Sequence, residues 1–240
     1  MNKSINAIVQ ITIPPKGWEK EDAILYHSDE VTNLSIELSK MYAKRVGADY
    51  YLITKPKINF KHPTWERFQL FDDEWINKYQ NILYLDTDVF PWPDAPNIFD
   101  FINVKAFNTA IHYSGKTFNG KPAFNAGVFV LNKHCARVMR SFFKKDLWEK
   151  KLLKDPDWED SKELNDIAQN PDIIHHRLSP KWNIKNSPDA YFTHMWGFKK
   201  KDKPNSSAII RAKKILGNLN KETIELHKFN INLKNKKIPF

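Results

Sequence analysis

The run Asn81-Ile82-Leu83-Tyr84-Leu85-Asp86-Thr87-Asp88-Val89-Phe90 constrains the fold more than any other stretch. Ile82 to Leu85 are four apolar or aromatic residues in a row, with no polar residue at alternate positions. Such a strand has to be covered on both faces, as in the interior of a parallel sheet flanked by helices. Two carboxylates follow at spacing i, i+2. If the backbone stays extended through Thr87, Asp86 and Asp88 point to the same side with Cα atoms about 7 Å apart. Like charges at the end of a hydrophobic strand repel each other and resist burial. A divalent cation removes that penalty, and carboxylate oxygens suit Mg2+ or Mn2+. The carboxyl end of a strand in an open α/β sheet is also where such folds place ligands. The competing reading is a turn, in which Asp-Thr-Asp caps the strand before the Pro-rich Phe90-Pro91-Trp92-Pro93-Asp94.

The elements before this strand alternate in type. Ala7 to Thr12 reads as a strand ended by Pro14 and Pro15. The apolar positions between Ser28 and Val46 fit a helix, with Ser28 or Asp29 as its cap and Gly47 ending it. Tyr50 to Ile53 is a second strand, His62 to Tyr79 a second helix, and Asn81 to Asp86 the third strand. Strand, helix, strand, helix, strand within 86 residues predicts a doubly wound, mostly parallel layer. Further along, Ala106 to His112 and Ala123 to Asn132 read as strands, His134 to Leu153 as a helix, and Ile173 to Leu178 as a short strand. Gly127 beside Ala126 allows either a close approach by a backbone or ligand, or a tight turn before a core strand.

Composition limits the function classes. With 41% hydrophobic and 13% aromatic residues in 240, the chain can bury a sizeable core. The single cysteine, Cys135, rules out an intrachain disulfide framework and a Cys-rich zinc site. A reducing, cytoplasmic setting fits, with no signal segment and no apolar run long enough for a membrane span. Of the net charge of +10, almost all lies in the tail: Lys199 to Phe240 carries twelve Lys/Arg against three acidic residues. The charge divides the chain into an expected, nearly neutral domain, residues 1–200, and a basic extension, 201–240.

Four segments in order, Asp86-Thr87-Asp88, Phe124-Asn125-Ala126-Gly127, Asp160…Leu164-Asn165 and His194-Met195-Trp196-Gly197…Lys200, resemble the motifs of GT-A nucleotide-sugar glycosyltransferases, most closely family 8. The resemblance runs from about Ala7 to Lys200. It implies a GT-A, Rossmann-like α/β three-layer sandwich with a mostly parallel central sheet, and a hexosyltransferase, retaining if it follows family 8. It also implies a Mn2+ ion (Mg2+ as the alternative) and a UDP-sugar donor, with a glycan or lipid-linked glycan as acceptor. Asp86, Asp88 and His194 would hold the metal, with Asp86 and Thr87 close to the donor. Arg67 would meet the diphosphate or the sugar, Gly197 and Lys200 would serve the diphosphate, and Asn125, Ala126 and Gly127 would lie along the sugar. Asn125 and Asp160 would be the catalytic pair. Ala7, Val9, Gln10, Ile11 and Thr12 would flank the uracil. The chain departs from the family at Asp160-Ser161-Lys162, where members carry Asp-Gln-Asp, which bears on stereochemistry and donor identity.

Imidazole favours Mn2+ over Mg2+ if His194 is a ligand, whereas His175 and His176 match no motif and read as structural. The rivals are a non-catalytic sugar-nucleotide or glycan-binding domain of the same fold, and a haloacid-dehalogenase-like phosphatase. The phosphatase pattern places its Asp-x-Asp on the first strand and a Thr or Val two residues beyond; here the pair follows the third strand and Phe90 stands there. In the tail, Asn205 to Leu219 reads as an amphipathic helix with Ile209, Ile210, Ile215 and Leu216 apolar. It either packs on the catalytic body or adsorbs to an anionic membrane. Nucleic acid ranks last, since no aromatic series interleaves the cations.

Overall fold

The structure, a computed structural model, describes residues 4–13, 29–58, 63–111, 117–118, 121–150, 160–185, 187, 189–195 and 206–218. In chain order the elements are β1 (Asn6–Ile11), α1 (Asp29–Val46), β2 (Asp49–Ile53), a 3₁₀ segment (Pro63–Phe71), α2 (Asp73–Ile76), β3 (Asn81–Leu85) and β4 (Val89–Pro91). A 3₁₀ turn (Ile98–Asp100), β5 (Phe107–Ile111), the short pair β6 (Thr117–Phe118) and β7 (Lys121–Pro122), and β8 (Phe124–Asn132) follow. The chain continues through α3 (Lys133–Lys150), α4 (Asp160–Ala168), β9 (His175–Leu178), a 3₁₀ turn (Pro180–Trp182), β10 (Ile184–Lys185) and β11 (Phe192–His194). A helix at 207–218, α5, lies beyond.

Six strands form the main sheet in the order β2-β1-β3-β8-β5-β9. All pairings are parallel except the two made by β8, which runs against β3 and β5. The double-sided burial expected of β3 is present. Ile82 and Tyr84 enter one core with Trp65, Phe68, Phe129 and Leu164, while Leu83 and Leu85 enter the other with Tyr42, Val128 and Phe192. Helices cover both faces, so the molecule is the three-layer α/β sandwich anticipated from the motifs.

Two local expectations are corrected. The single helix read over His62 to Tyr79 is a nine-residue 3₁₀ segment and a four-residue α-helix, separated by Asp72 in an extended conformation (φ −73°, ψ 154°). Trp65 through Phe71 are all buried, so this segment is enclosed on every side and has no solvent face of the kind an amphipathic α-helix presents. The Asp-x-Asp pair is not extended. The Val89 N–H donates to the Asp86 carbonyl at 3.0 Å, closing a β-turn over Asp86–Val89. The turn reading and the convergence of the carboxylates both hold, because β4 starts at once and reverses the chain.

β4 belongs to a second sheet, β10-β11-β4. β11 pairs antiparallel with β4, and His194 stands opposite Val89. That register places a residue over a hundred positions downstream directly beside Asp88. Trp92 Nε1 donates to Thr193 Oγ1 at 2.9 Å inside the protein and locks the pairing.

α5 packs on the back of this small sheet. Its Ala208, Ile209 and Ala212 join Phe90, Trp92, Met195 and the α1 residues Val31 and Leu38 in a third core. Ser206 caps the helix, its Oγ accepting the Ile209 N–H at 3.3 Å. Arg211 lies over the Trp92 ring at 4.2 Å and pairs with Asp94 at 3.0 Å. Ile210, read above as part of the apolar side, is 58% exposed. The helix thus spends its apolar stripe on the protein, as the packed reading expects, and that stripe is not open to a membrane. Among the described residues no helix is long and apolar enough to cross a membrane.

Candidate functional site

The carboxyl end of β3, the Asp86–Val89 turn, the first half of β8 and the end of β11 meet at one place. Asp86, Asp88 and His194 each offer a ligand atom there, all within 4.8 Å of one another. His194 Nε2 is 3.0 Å from Asp88 Oδ1 and 3.9 Å from Asp86 Oδ2. Two ligands of one small divalent ion, at bonds of about 2.1 Å, can be at most about 4.2 Å apart. The donor set therefore fits such an ion with only a small inward turn of the side chains. Two hard carboxylate oxygens and one imidazole nitrogen are also the mixture that suits Mn2+.

The shape of β8 serves the same spot. Between Phe129 and Phe124 it spends five residue steps where β5 spends two, Thr109 to Ile111. This bulge holds Asn125 to Val128 against the site. Gly127 has ordinary strand geometry, and its need for glycine is steric. A Cβ there would lie 2.3 Å from His194 Cε1, 2.7 Å from Asp86 Oδ2 and 2.9 Å from Asn125 Oδ1. The close-approach reading of Gly127 is thus the one its surroundings match, and the approaching groups are the candidate ligands themselves.

Each acidic partner is held in a defined pose. Asp86 Oδ1 accepts the Tyr84 hydroxyl at 2.7 Å and Arg67 Nη2 at 3.2 Å, which leaves Oδ2 turned towards His194. The Asp86 N–H donates to the Gly127 carbonyl at 2.8 Å, and the Met195 N–H to the Asp88 carbonyl at 2.9 Å. Burial by itself would push the His194 imidazole down, but Asp88 and Asp86 outweigh it and hold the pKa above the ordinary histidine value. A proton on Nε2, favoured by the two carboxylates, would thus compete with a cation for the place between them.

Arg67 is 3% exposed and faces inward. Besides Asp86, its guanidinium donates to the carbonyls of Ala126 (2.8 Å) and Thr64 (2.9 Å) and sits over the Tyr84 ring. Of the residues expected around a nucleobase, Ala7, Val9 and Gln10 are completely buried, whereas Ile11 and Thr12 stand at the carboxyl end of β1. Thr87, at 2% exposure, is buried within the turn. Asn125 Oδ1 accepts the Gly127 N–H at 2.8 Å. Asp160 opens α4, and only its backbone is described; Gly197 and Lys200 lie outside the described residues.

Two site-forming residues, Ser35 and Asn183, escaped the motif reading, and Gln10, read there as flanking the uracil, makes a different set of contacts. Gln10, alone in the apolar run Asn6–Ile11, donates to Ser35 Oγ (2.9 Å) and to the Asp86 carbonyl (3.2 Å) and accepts the Tyr50 hydroxyl (2.8 Å). Ser35 in turn donates to the Val89 carbonyl at 2.6 Å, so both ends of the Asp86–Val89 turn are tied to β1 and α1. A lone amide in a doubly buried strand was the available signal. Asn183 contacts His194 and Asn125. Asn165, the last residue of the motif that begins at Asp160, clamps the Phe124 backbone with both amide atoms at 3.1 Å. The two other notable histidines stay structural: His175 bonds Thr109 Oγ1 at 2.7 Å, and His176 lies on the opposite face of β9.

No protein-family model matches the chain, and no curated relative does. Solved structures do. A glycosyltransferase involved in the glycosylation of the major capsid of PBCV-1 superposes with a TM-score of 0.54 at 15% identity, covering 85% of this chain and 99% of that one. The galactosyltransferase LgtC, in complex with donor and acceptor sugar analogs, superposes with a TM-score of 0.56 at 15% identity, covering 88% and 95%. At this identity the likeness is one of architecture. The mixed α/β architecture, a six-stranded and mostly parallel central sheet covered by helices, matches the GT-A glycosyltransferase fold.

Proposed function

We propose that the chain is a metal-dependent glycosyltransferase that moves a sugar from a nucleoside-diphosphate donor, UDP-linked, to a glycan or lipid-linked acceptor. The observation that carries this reading is the convergence of Asp86, Asp88 and His194 on one point, with Gly127 leaving room beside them. The fold shared with LgtC, which holds donor and acceptor sugar analogs, supports it.

Breaking a sugar–phosphate bond leaves charge on the departing diphosphate. Asp86, Asp88 and His194 Nε2 would hold Mn2+, which when bound supplies Lewis-acid neutralisation of that charge. The protein's own part is orientation. Arg67 and Tyr84 fix one oxygen of Asp86 and leave the other for the ion. Asn125 and Gly127 form the wall along which the donor sugar would lie, and Ile11 and Thr12 stand where the base would. Asp160 would reach the sugar hydroxyls, and Gly197 and Lys200 the diphosphate.

A second reading, a domain that binds the donor without turning it over, draws on Ser161 and Lys162. These stand where the family carries Gln and Asp, and a serine hydroxyl is too short to reach where a glutamine amide would. UDP release from UDP-sugars with Mn2+ separates the two readings, since a binder releases none. Asp88→Ala is expected to abolish metal-dependent UDP release and leave the circular dichroism spectrum unchanged. Unaltered release from that variant would overturn the assignment of the site.

A further inference from the structure

Asn183 lies at the end of the 3₁₀ turn Pro180–Trp182, in none of the four motifs, and is 9% exposed. Its side-chain oxygen faces His194 Nδ1 at 2.8 Å. Its amide nitrogen faces the Asn125 carbonyl at 3.3 Å and Asn125 Oδ1 at 3.4 Å. These neighbours decide the orientation of the amide. Both groups on the Asn125 side are acceptors, Oδ1 of Asn125 being already aligned by the Gly127 N–H, so the NH2 must face them. The oxygen of Asn183 is then left towards the imidazole, and Nδ1 of His194 has to carry the hydrogen. Nε2 is thereby the nitrogen presented to Asp86 and Asp88.

We infer that Asn183 is a positioning residue that couples two halves of the site. One arm holds the His194 ring so that Nε2 faces the cation, and the other holds the Asn125-Ala126-Gly127 bulge along which the donor sugar would lie. The inference rests on the reading that Asp86, Asp88 and His194 bind a divalent ion, and it adds an outer partner that the sequence motifs do not contain. A ligand histidine whose second nitrogen loses its acceptor commonly costs 10–100-fold in metal affinity.

Two substitutions separate the arms. Asn183→Leu removes both. Asn183→Asp keeps an oxygen for the His194 Nδ1–H but sets a carboxylate against two acceptors of Asn125. Manganese affinity is read by electron paramagnetic resonance of free Mn2+, nucleotide-sugar affinity by calorimetry with Mn2+ present, and folding by thermal melting. The His194 tautomer is read by 15N-correlated NMR of the protein loaded with diamagnetic Mg2+, where Nε2 faces a cation. We expect Nδ1–H in the wild type, Mn2+ binding weakened at least tenfold in Asn183→Leu, and Mn2+ binding no weaker than wild type in Asn183→Asp with donor binding weakened at least fivefold. The inference is overturned by an Nε2–H tautomer in the wild type. It is overturned equally by wild-type Mn2+ affinity in a folded Asn183→Leu, or by parallel losses of metal and donor in Asn183→Asp. If Asn183→Leu does not fold, the Asn183→Asp split and the tautomer decide. Asp88→Ala runs alongside: if it binds Mn2+ like the wild type, the metal-site reading fails, whereas wild-type Mn2+ affinity in Asn183→Leu with loss of binding in Asp88→Ala overturns the positioning role alone.

Discussion

Gly127→Ala adds one methyl group at the point where three site side chains meet. The new Cβ would lie 2.3 Å from His194 Cε1, 2.7 Å from Asp86 Oδ2 and 2.9 Å from Asn125 Oδ1. Carbon atoms rest at about 3.5–4.0 Å, so the imidazole would have to retreat by about 1.2 Å or more. The ring is buried and bonded to Asn183 at 2.8 Å, and a shift of that size along the bond lengthens it beyond hydrogen-bond range. Metal bonds tolerate about 0.2 Å, so His194 would be lost as a ligand. Overpacking of this kind costs about 1–3 kcal/mol of stability. We expect a lower melting temperature and manganese affinity reduced at least tenfold, with UDP release falling in step. Gly217→Ala is the control. Gly217 lies in α5, and a Cβ there meets nothing within 4 Å; stability should stay level or rise by about 0.5–1 kcal/mol. A Gly127→Ala protein that binds Mn2+ and releases UDP within twofold of the wild type would refute the argument that this glycine exists to admit the metal ligands.

Three further outcomes follow from the same geometry. His194 has a raised pKa in the metal-free fold, so its ion pair contributes fully below about pH 6.5 and is lost as pH rises past the raised value; the melting advantage of chelated wild type over His194→Gln should shrink across that window, and Mn2+ affinity should rise across it as the competing proton leaves. Gln10→Leu strands the Tyr50 hydroxyl and the Ser35–Asp86 side of the turn without their partner; at about 1–3 kcal/mol for a buried unsatisfied group, urea unfolding should show a loss in that range, together with weaker Mn2+ binding, and an unchanged Mn2+ affinity would mean the turn does not need this tether. Ile209, fully buried in the third core, and Ile210, 58% exposed beside it, should separate cleanly: Ile209→Ala is expected to cost about 2–4 kcal/mol and Ile210→Ala under about 0.5 kcal/mol, and equal effects would mean α5 is not docked as described.

The two-faced core strand and the helix-covered sheet were legible because hydrophobic burial writes itself into consecutive residues: Ile82 to Leu85 have no polar alternate, and Val31, Leu38 and Tyr42 recur at helical spacing. Asp86, Asp88 and His194 were legible as motif residues, since each carries its chemistry on the side chain, and Gly127 because it lacks one. What no local pattern contains is the pairing of β11 with β4, which sets His194 against Val89 and so delivers the imidazole to carboxylates over a hundred residues away. The inward commitment of Arg67 and the tether of the Asp86–Val89 turn through Gln10 and Ser35 are likewise tertiary, because buried polar groups take their partners from whatever the assembled layers bring near them. Side-chain chemistry was thus present in the chain itself, whereas direction and distance at the site belong to contacts between segments that only the folded layers put side by side.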